Sequence, residues 1–494
     1  PEEPVELQLR LELPSEPGSL REVSIPFELA GSPTQEDLQA ASFVTVEVEE
    51  DEYYFTSPPG SVIDLANRKI VLEPEAAGQA VRFVEARQGD PARVVAWFED
   101  EQLGIGEAEY ESMIAAYVDA AYQGWSSGRY NAADLTWDGP GGLESFSEEA
   151  LTAYLAEAWT RNDYDRAFAE MRRARDLYPD ELTLLSAPFL GNLRVVRERY
   201  LESDRARAEL ISELLRDNDP VVFRQPQVFQ FAADRGGEEL YGELVSFAED
   251  IDLRQLDLVS AIGLLRSLYL DPLPDERAES IALRAVDLIQ MRVLGAIVRT
   301  DVGFFLQTSP GQIDLFQTAL AGAVLNAYGT SRNDATITTI GRNLVVSVLG
   351  RRDENGMVPA SLIVRGETVE TADGAVPPEA LYPILANAPV YPREVSLYEQ
   401  AGSGHWVWTI VPLTPVRITD SEWRFELTYP RLRTFYLVFQ GAPTFDRMEL
   451  FGQTWRDAPD FEIYSKGRHY NQETDTLMIK YYDDSVRRDI ALFF

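Results

Sequence analysis

The sequence predicts a multidomain α+β protein: a β-sandwich over residues 1–103, an all-α array of helical hairpins over 104–352, a linker over 353–393, and a β-sandwich or jelly roll over 394–494. Three observations predict it. Apolar residues alternate in period two near the start, fall into steps of three and four from Glu107 to about Gly350, and return to short alternating runs after Pro359. At 494 residues the chain exceeds what one hydrophobic core serves, since domains run to about 100–200 residues.

In the first segment Val5, Leu7, Leu9, Leu11 and Leu13 alternate with polar residues up to Pro14, the pattern of a half-buried strand. Further strands are expected at Val23 to Leu29, Phe43 to Val48, Lys69 to Leu72 and Val94 to Phe98, with turns such as Ser57-Pro58-Pro59-Gly60 between them. Pro26 cannot donate to a ladder, so its strand belongs at an edge.

The helical period begins with Met113, Ala116, Tyr117 and Ala120. Helices are expected at Leu256 to Leu270, Ile281 to Val298, Ile313 to Tyr328 and Ala335 to Leu349, and the loop Asp353-Glu354-Asn355-Gly356 closes the block. The stretch Gly366 to Pro392 reads as a connection. Strands are then expected at Trp406 to Val411, Trp423 to Thr428, Thr434 to Phe439, Met448 to Phe451, Phe461 to Tyr464, Thr476 to Tyr481 and Val486 to Phe494.

Within the helical block, Asn162-Asp163-Tyr164-Asp165-Arg166-Ala167-Phe168 is followed by Met171, Ala174, Leu177 and Pro179. This run resembles the second half of a tetratricopeptide repeat, a helix-turn-helix unit of about 34 residues. Small residues at Ala167 and Ala174 let helix axes approach, Tyr164 fills the gap between units, and Pro179 ends the second helix. Gly128-Arg129-Tyr130 and Ala133 match one repeat earlier, before Trp137-Asp138-Gly139-Pro140 interrupts the pattern, and Ser203 through Ala208 to Pro220 is a degenerate third match. The resemblance covers residues 113–220 and implies a scaffold with a concave face for protein partners. A closed α/α toroid fits the same helices. Such rings, flanked by β-sandwiches, occur in several families of polysaccharide lyases and glycosidases.

Composition removes several chemistries. With no cysteine there are no disulfides, thiolate catalysts or Cys-ligated metals. The net charge of −38, from 82 acidic and 44 basic residues, repels nucleic acid and anionic lipid. Lysine occurs only at Lys69, Lys466 and Lys480, so the positive charge is almost all arginine. No apolar stretch reaches the roughly 18 residues of a transmembrane helix. His405 and His469 read as loop and turn residues, and no phosphate-cradling loop, dinucleotide fingerprint or EF-hand spacing is present. No cofactor is implied. Calcium on loop carboxylates such as Asp457, Asp460, Asp483 or Asp484 is the one metal reading left open, and 82 acids make a glycosidase pair unspecific.

Aromatics are the remaining signal. Trp406, Trp408, Trp423 and Trp455 cluster in the C-terminal segment, and Trp406 and Trp408, two apart on a strand, share a face. They pack a core or, exposed, form a platform for sugar rings or peptide side chains. Tyr130 and Tyr164 are the corresponding candidates in the helices. The sequence therefore predicts a non-enzymatic, extracytoplasmic scaffold of a bacterial cell envelope that binds protein partners through its helical middle. The alternative is a carbohydrate-active protein, a toroid glycosidase or polysaccharide lyase with sandwich flanks or a carbohydrate-binding protein.

Overall fold

A computed structural model describes residues 103–494 except 310, 366, 367 and 387, together with residues 6–10, 23–26, 32–33, 43–48, 51–56, 61–64, 67–72, 80–85 and 91–99. Small N-terminal sheets, a helix-rich middle and a strand-rich C-terminal region follow one another in the expected order.

The N-terminal strands form a five-stranded and a three-stranded antiparallel sheet. Val23–Pro26 lies at the edge of the smaller one, as its proline requires. The strand expected at Val94 to Phe98 is instead part of a helix, Pro91–Glu99. Pro91 starts it in the position where a missing N–H costs nothing, and Val94, Trp97 and Phe98 share one buried face at helical spacing.

The middle is organised around one hairpin, Leu315–Arg332 followed by Ala335–Leu349. Asp314 and Asp334 cap the two helices through the amides of Gln317 and Ile337. The hairpin serves two cores. Ala319, Val345 and Val348 pack with helices Glu107–Gln123 and Glu148–Thr160, whereas Leu320, Val324, Leu325, Ile340 and Leu344 pack with Gly237–Asp250 and Leu258–Tyr269. Its axes come close because Gly322 faces Gly341: a Cβ on Gly341 would lie 2.6 Å from the Gly322 carbonyl oxygen.

A five-stranded antiparallel sheet is set into this block, in the order Ile297–Thr300, Gly303–Ser309, Gln312–Asp314, Ser361–Arg365, Thr368–Thr371. The expected helix from Ile281 to Val298 is a succession of short α, 3-10 and π turns that ends at this sheet. Residues 353–393, expected as a linker, carry two of its strands and the helix Pro378–Leu385. That helix is anchored from within: buried Glu379 takes two hydrogen bonds from the Arg129 guanidinium and one, at 2.9 Å, from the Trp125 indole.

The C-terminal region is two five-stranded antiparallel sheets between which the chain alternates. The first runs in the order Arg393–Ser396, Trp406–Thr409, Phe435–Gln440, Thr476–Tyr481, Gly467–Asn471. Val407, Leu437, Phe439, Leu477 and Ile479 of this sheet join the sandwich core. Its other face carries Trp406, Tyr436, Val438 and Met478 against Leu184, Ala187, Leu193, Val196 and Tyr200 of the helical region. Both faces are covered, which explains the unbroken apolar run from Phe435 to Phe439 in the strand Phe435–Gln440. The expected strand from Phe461 to Tyr464 is a 3-10 turn, Phe461–Ile463, with Phe461 buried and Ile463 and Tyr464 exposed.

A buried ionic cluster fastens this seam. Arg235, in the π turn Ala232–Gly236, reaches Asp204 at 2.9 Å and Glu394 of the sandwich at 2.8 Å, and lies 4.0 Å over the Trp406 ring. Beside it Asp234, fully buried, accepts from Ser396, and its second oxygen receives no hydrogen bond. Burial and then the adjacent Glu394 push the Asp234 carboxyl up to about 9. The folded chain therefore keeps a proton that an unfolded carboxyl releases near 3.8. The group's contribution to stability is complete below about pH 4 and is lost as pH rises towards 9, by up to about 1.4 kcal/mol per pH unit. Asp234→Asn keeps the neutral shape. Its advantage over wild type in urea unfolding is expected to widen from pH 5 to pH 9, and a difference constant with pH would contradict this reading.

Candidate functional site

Where the sheet and the helices diverge, the seam opens into a cleft. The helix Leu193–Arg216 starts here without a cap of its own: Gly191 and Asn192 take φ of 76° and 62°, and the Asn192 side chain makes no capping bond. The cap comes from Glu462, whose carboxylate accepts the amides of Asn192 and Leu193, both at 2.8 Å, and faces Arg175 at 3.4 Å. Gly191 is required at this point, since a Cβ would meet the Tyr436 ring at 2.6 Å and Glu462 at 2.9 Å.

Two cavities of about 590 and 600 Å³ lie along the seam and share Arg175, Asn192 and Val195 as walls. The first is lined further by Arg194, Arg197, Glu462, Ile463 and His469, the second by Phe168, Arg172, Arg173, Tyr436 and Lys480. Their cations are poorly matched. The Arg172 side chain has no ion-pair or hydrogen-bond partner among the described residues, Arg173 donates to the carbonyls of Ala132 and Ala133, and Arg194 to that of Pro459. Arg197 bonds Thr474 at 3.0 Å and meets Glu198 only at 4.0 Å. Lys480 donates to the Glu462 carbonyl at 2.6 Å, and burial holds its ammonium below the usual lysine range. Elsewhere arginines pair closely with carboxylates, as at Arg129–Glu379, Arg161–Glu157 and Arg424–Glu422. The first cavity sets Arg175, Arg194 and Arg197 against Glu198, Asp460 and Glu462, whereas the second sets Arg172, Arg173, Arg175 and Lys480 against Asp176, so the surplus of positive charge lies in the second cavity, on a chain of net charge −38.

His469 lies on the strand Gly467–Asn471, not in a turn, and its Nδ1 is 3.0 Å from Asp457, which also accepts the Tyr470 amide at 2.7 Å. A neutral imidazole donating to Asp457 leaves Nε2 as its other polar atom. No serine, threonine, tyrosine or cysteine lines this cavity, so no hydroxyl or thiol nucleophile stands with it. The N–H donors of this cavity stand beside the carboxylates of Glu198, Asp460 and Glu462, and the surplus of donors that suits an anionic group lies in the adjoining cavity, at Arg172, Arg173 and Lys480. A larger cavity of about 850 Å³, between Leu193–Arg216 and Gly237–Asp250, is lined by Glu239, Glu243 and Asp250 and repeats the charge of the molecule as a whole.

The aromatic candidates do not meet in one place. Trp406 is buried under Arg235, Trp423 is buried against His405, Phe425 and Phe494, and the half-buried Trp408 and Trp455 lie on different sheets. Trp406 and Trp408 do share a face, and the helical region covers it. Tyr164 is buried between Trp159 and Phe168, and half-buried Tyr130 bonds Glu170 at 2.9 Å. The turn at Asn162 joins helices Glu148–Thr160 and Tyr164–Met171, whereas Gly128 to Asp138 forms a π turn and short strands, and Ser203 and Ala208 sit inside one continuous helix. Asp457 and Asp483 are engaged by Arg468 and Arg488, and among the described residues no three acids or histidines converge as a metal site. No helix of the described residues is long and apolar enough to cross a membrane.

Sequence reasoning missed Arg172, Arg173, Arg175, Arg194, Arg197, Glu462 and Lys480. The available signal was two short arginine clusters and one of only three lysines in an acidic chain. No protein-family model matches the sequence, and no curated protein matches it either.

Proposed function

We propose that the chain is a non-enzymatic binding protein, an extracytoplasmic scaffold of a bacterial cell envelope, which receives an anionic group of its partner in the cleft between the helices and the C-terminal sandwich. The observation that carries this reading is the surplus of cations in the second cavity, where Arg172, Arg173, Arg175 and Lys480 face Asp176, on a strongly acidic chain. An opposite charge entering there gains attraction without first breaking an internal pair. The extracytoplasmic setting draws on the absence of cysteine. The carbohydrate-active alternative loses support where Trp406 and Trp423, offered as a stacking platform, lie buried.

Fluorescence anisotropy with a labelled hexaglutamate peptide tests the reading. Binding should weaken as salt rises, and Arg172→Glu combined with Arg194→Glu should cost tenfold or more in affinity. Both side chains are exposed, so the fold should be unaffected. No binding, or binding indifferent to the double charge reversal, would remove the cleft from consideration.

A further inference from the structure

The cations do not stand alone in the cleft. In one cavity they sit beside Val195, 50 % exposed, and Ile463, 76 % exposed; Tyr464, the next residue, is 54 % exposed. In the other, Phe168 and Pro179 join Val195 near Arg172. Ile463 ends the 3-10 turn that replaces an expected strand and Tyr464 follows it, and the turn is held in place from both sides. Phe461 is buried beneath it, and Glu462 is tied to the helix amides. Two large apolar side chains are thus presented outward at the end of a turn whose preceding residues, Phe461 and Glu462, are engaged, which distinguishes them from apolar residues scattered singly over a surface.

A small inorganic anion would use the cations and leave Ile463 and Tyr464 in water. A nucleic acid carries a charge on every unit and would meet the repulsion of the acidic chain along its whole length, which a segment with apolar residues between its acids reduces. An extended protein segment uses both, since acidic side chains reach Arg172, Arg173 and Lys480 in the second cavity while apolar ones cover Ile463 at the first. The two cavities share walls and form one path along the seam, which suits a chain better than a compact ligand. We infer that the partner's anionic group is an acidic peptide segment in which apolar side chains alternate with carboxylates. This rests on the anion-receiving reading of the cleft.

The test compares three labelled probes on the full chain: hexaglutamate, a peptide of the same charge with leucines interspersed among the glutamates, and an oligogalacturonate of matched charge. The mixed peptide is expected to bind about tenfold more tightly than hexaglutamate, as burial of one or two apolar side chains implies. Ile463→Asp should abolish that gain and leave hexaglutamate within about threefold of its wild-type affinity. Circular dichroism of the variant checks that the exposed substitution leaves the fold intact. Equal binding of the two peptides, or a gain that survives Ile463→Asp, would overturn the inference while leaving the anion-receiving cleft standing. Oligogalacturonate binding as tightly as the mixed peptide would also overturn it, in favour of an acidic polysaccharide. Failure of all three probes would overturn the proposed function itself.

Discussion

Replacing Arg235 by leucine is expected to destabilise the protein by about 3–5 kcal/mol, the usual cost of removing one partner from a buried ion pair. The guanidinium serves two carboxylates, Asp204 on the long helix and Glu394 on the sandwich, whose side chains are 18 % and 6 % exposed. Without it both stay buried beside Asp234, and no other described cation hydrogen-bonds them. Arg207 is close, but its guanidinium stacks over Phe231 and donates to the Pro226 carbonyl instead. Arg235→Lys should recover part of the loss, because an ammonium keeps the charge but lacks the planar fork that spans Asp204 and Glu394. Urea unfolding followed by tryptophan fluorescence checks this, with Trp406 directly beneath the guanidinium. A loss under about 1 kcal/mol would mean that the seam is not held by this cluster.

Gly341→Val is expected to cost about 3 kcal/mol or more, at the upper end for overpacking a core. The new side chain would meet backbone, namely the Gly322 carbonyl oxygen at 2.6 Å and the Leu325 carbonyl carbon at 3.0 Å, so relief requires the two helices to separate. Because the Leu315–Arg332 and Ala335–Leu349 hairpin belongs to both cores, separation loosens both. Gly242→Ala is the control. A Cβ there meets nothing within 4 Å, and alanine should stabilise the helix Gly237–Asp250 by about 1 kcal/mol. Thermal denaturation should therefore move in opposite directions for the two glycines, and parallel shifts would contradict the packing described here.

Much of the C-terminal region was legible because its strands have turn residues at their ends and a regular inner face; Thr476–Tyr481 was bounded to the residue, as was Phe43–Val48 in the N-terminal region. The misses have separable causes. At Val94 to Phe98 a short apolar run suits either period, and Pro91 decided for helix. The hairpin Ile297–Ser309 has covered faces, so Phe304, Phe305 and Leu306 show no alternation by which to know a strand. Gly366 to Pro392 looked like a connection because its anchor, Glu379, finds Arg129 some 250 residues earlier.

The site was less legible than the fold for the same reason. Trp406 and Trp408 were rightly placed on one face, but what covers that face depends on helices about 200 residues away. Arg172 and Arg194 look like ordinary solvated arginines until the cleft places them together, and Glu462 becomes a helix cap only when the turn at Phe461–Ile463 meets Asn192. The replacement of an expected strand by this turn, at the wall of the cleft, fits the general observation that local rules give way where a surface is used.

The central claim is that the cleft at the end of the seam is the binding surface. Hydrogen exchange of the full chain with and without saturating acidic peptide tests it most directly. Binding there should slow exchange in peptides covering residues 164–200 and 459–480 and leave 237–250 and 413–428 unchanged. Protection confined to 237–250, or absent from 164–200 and 459–480 while the peptide is bound, would contradict it.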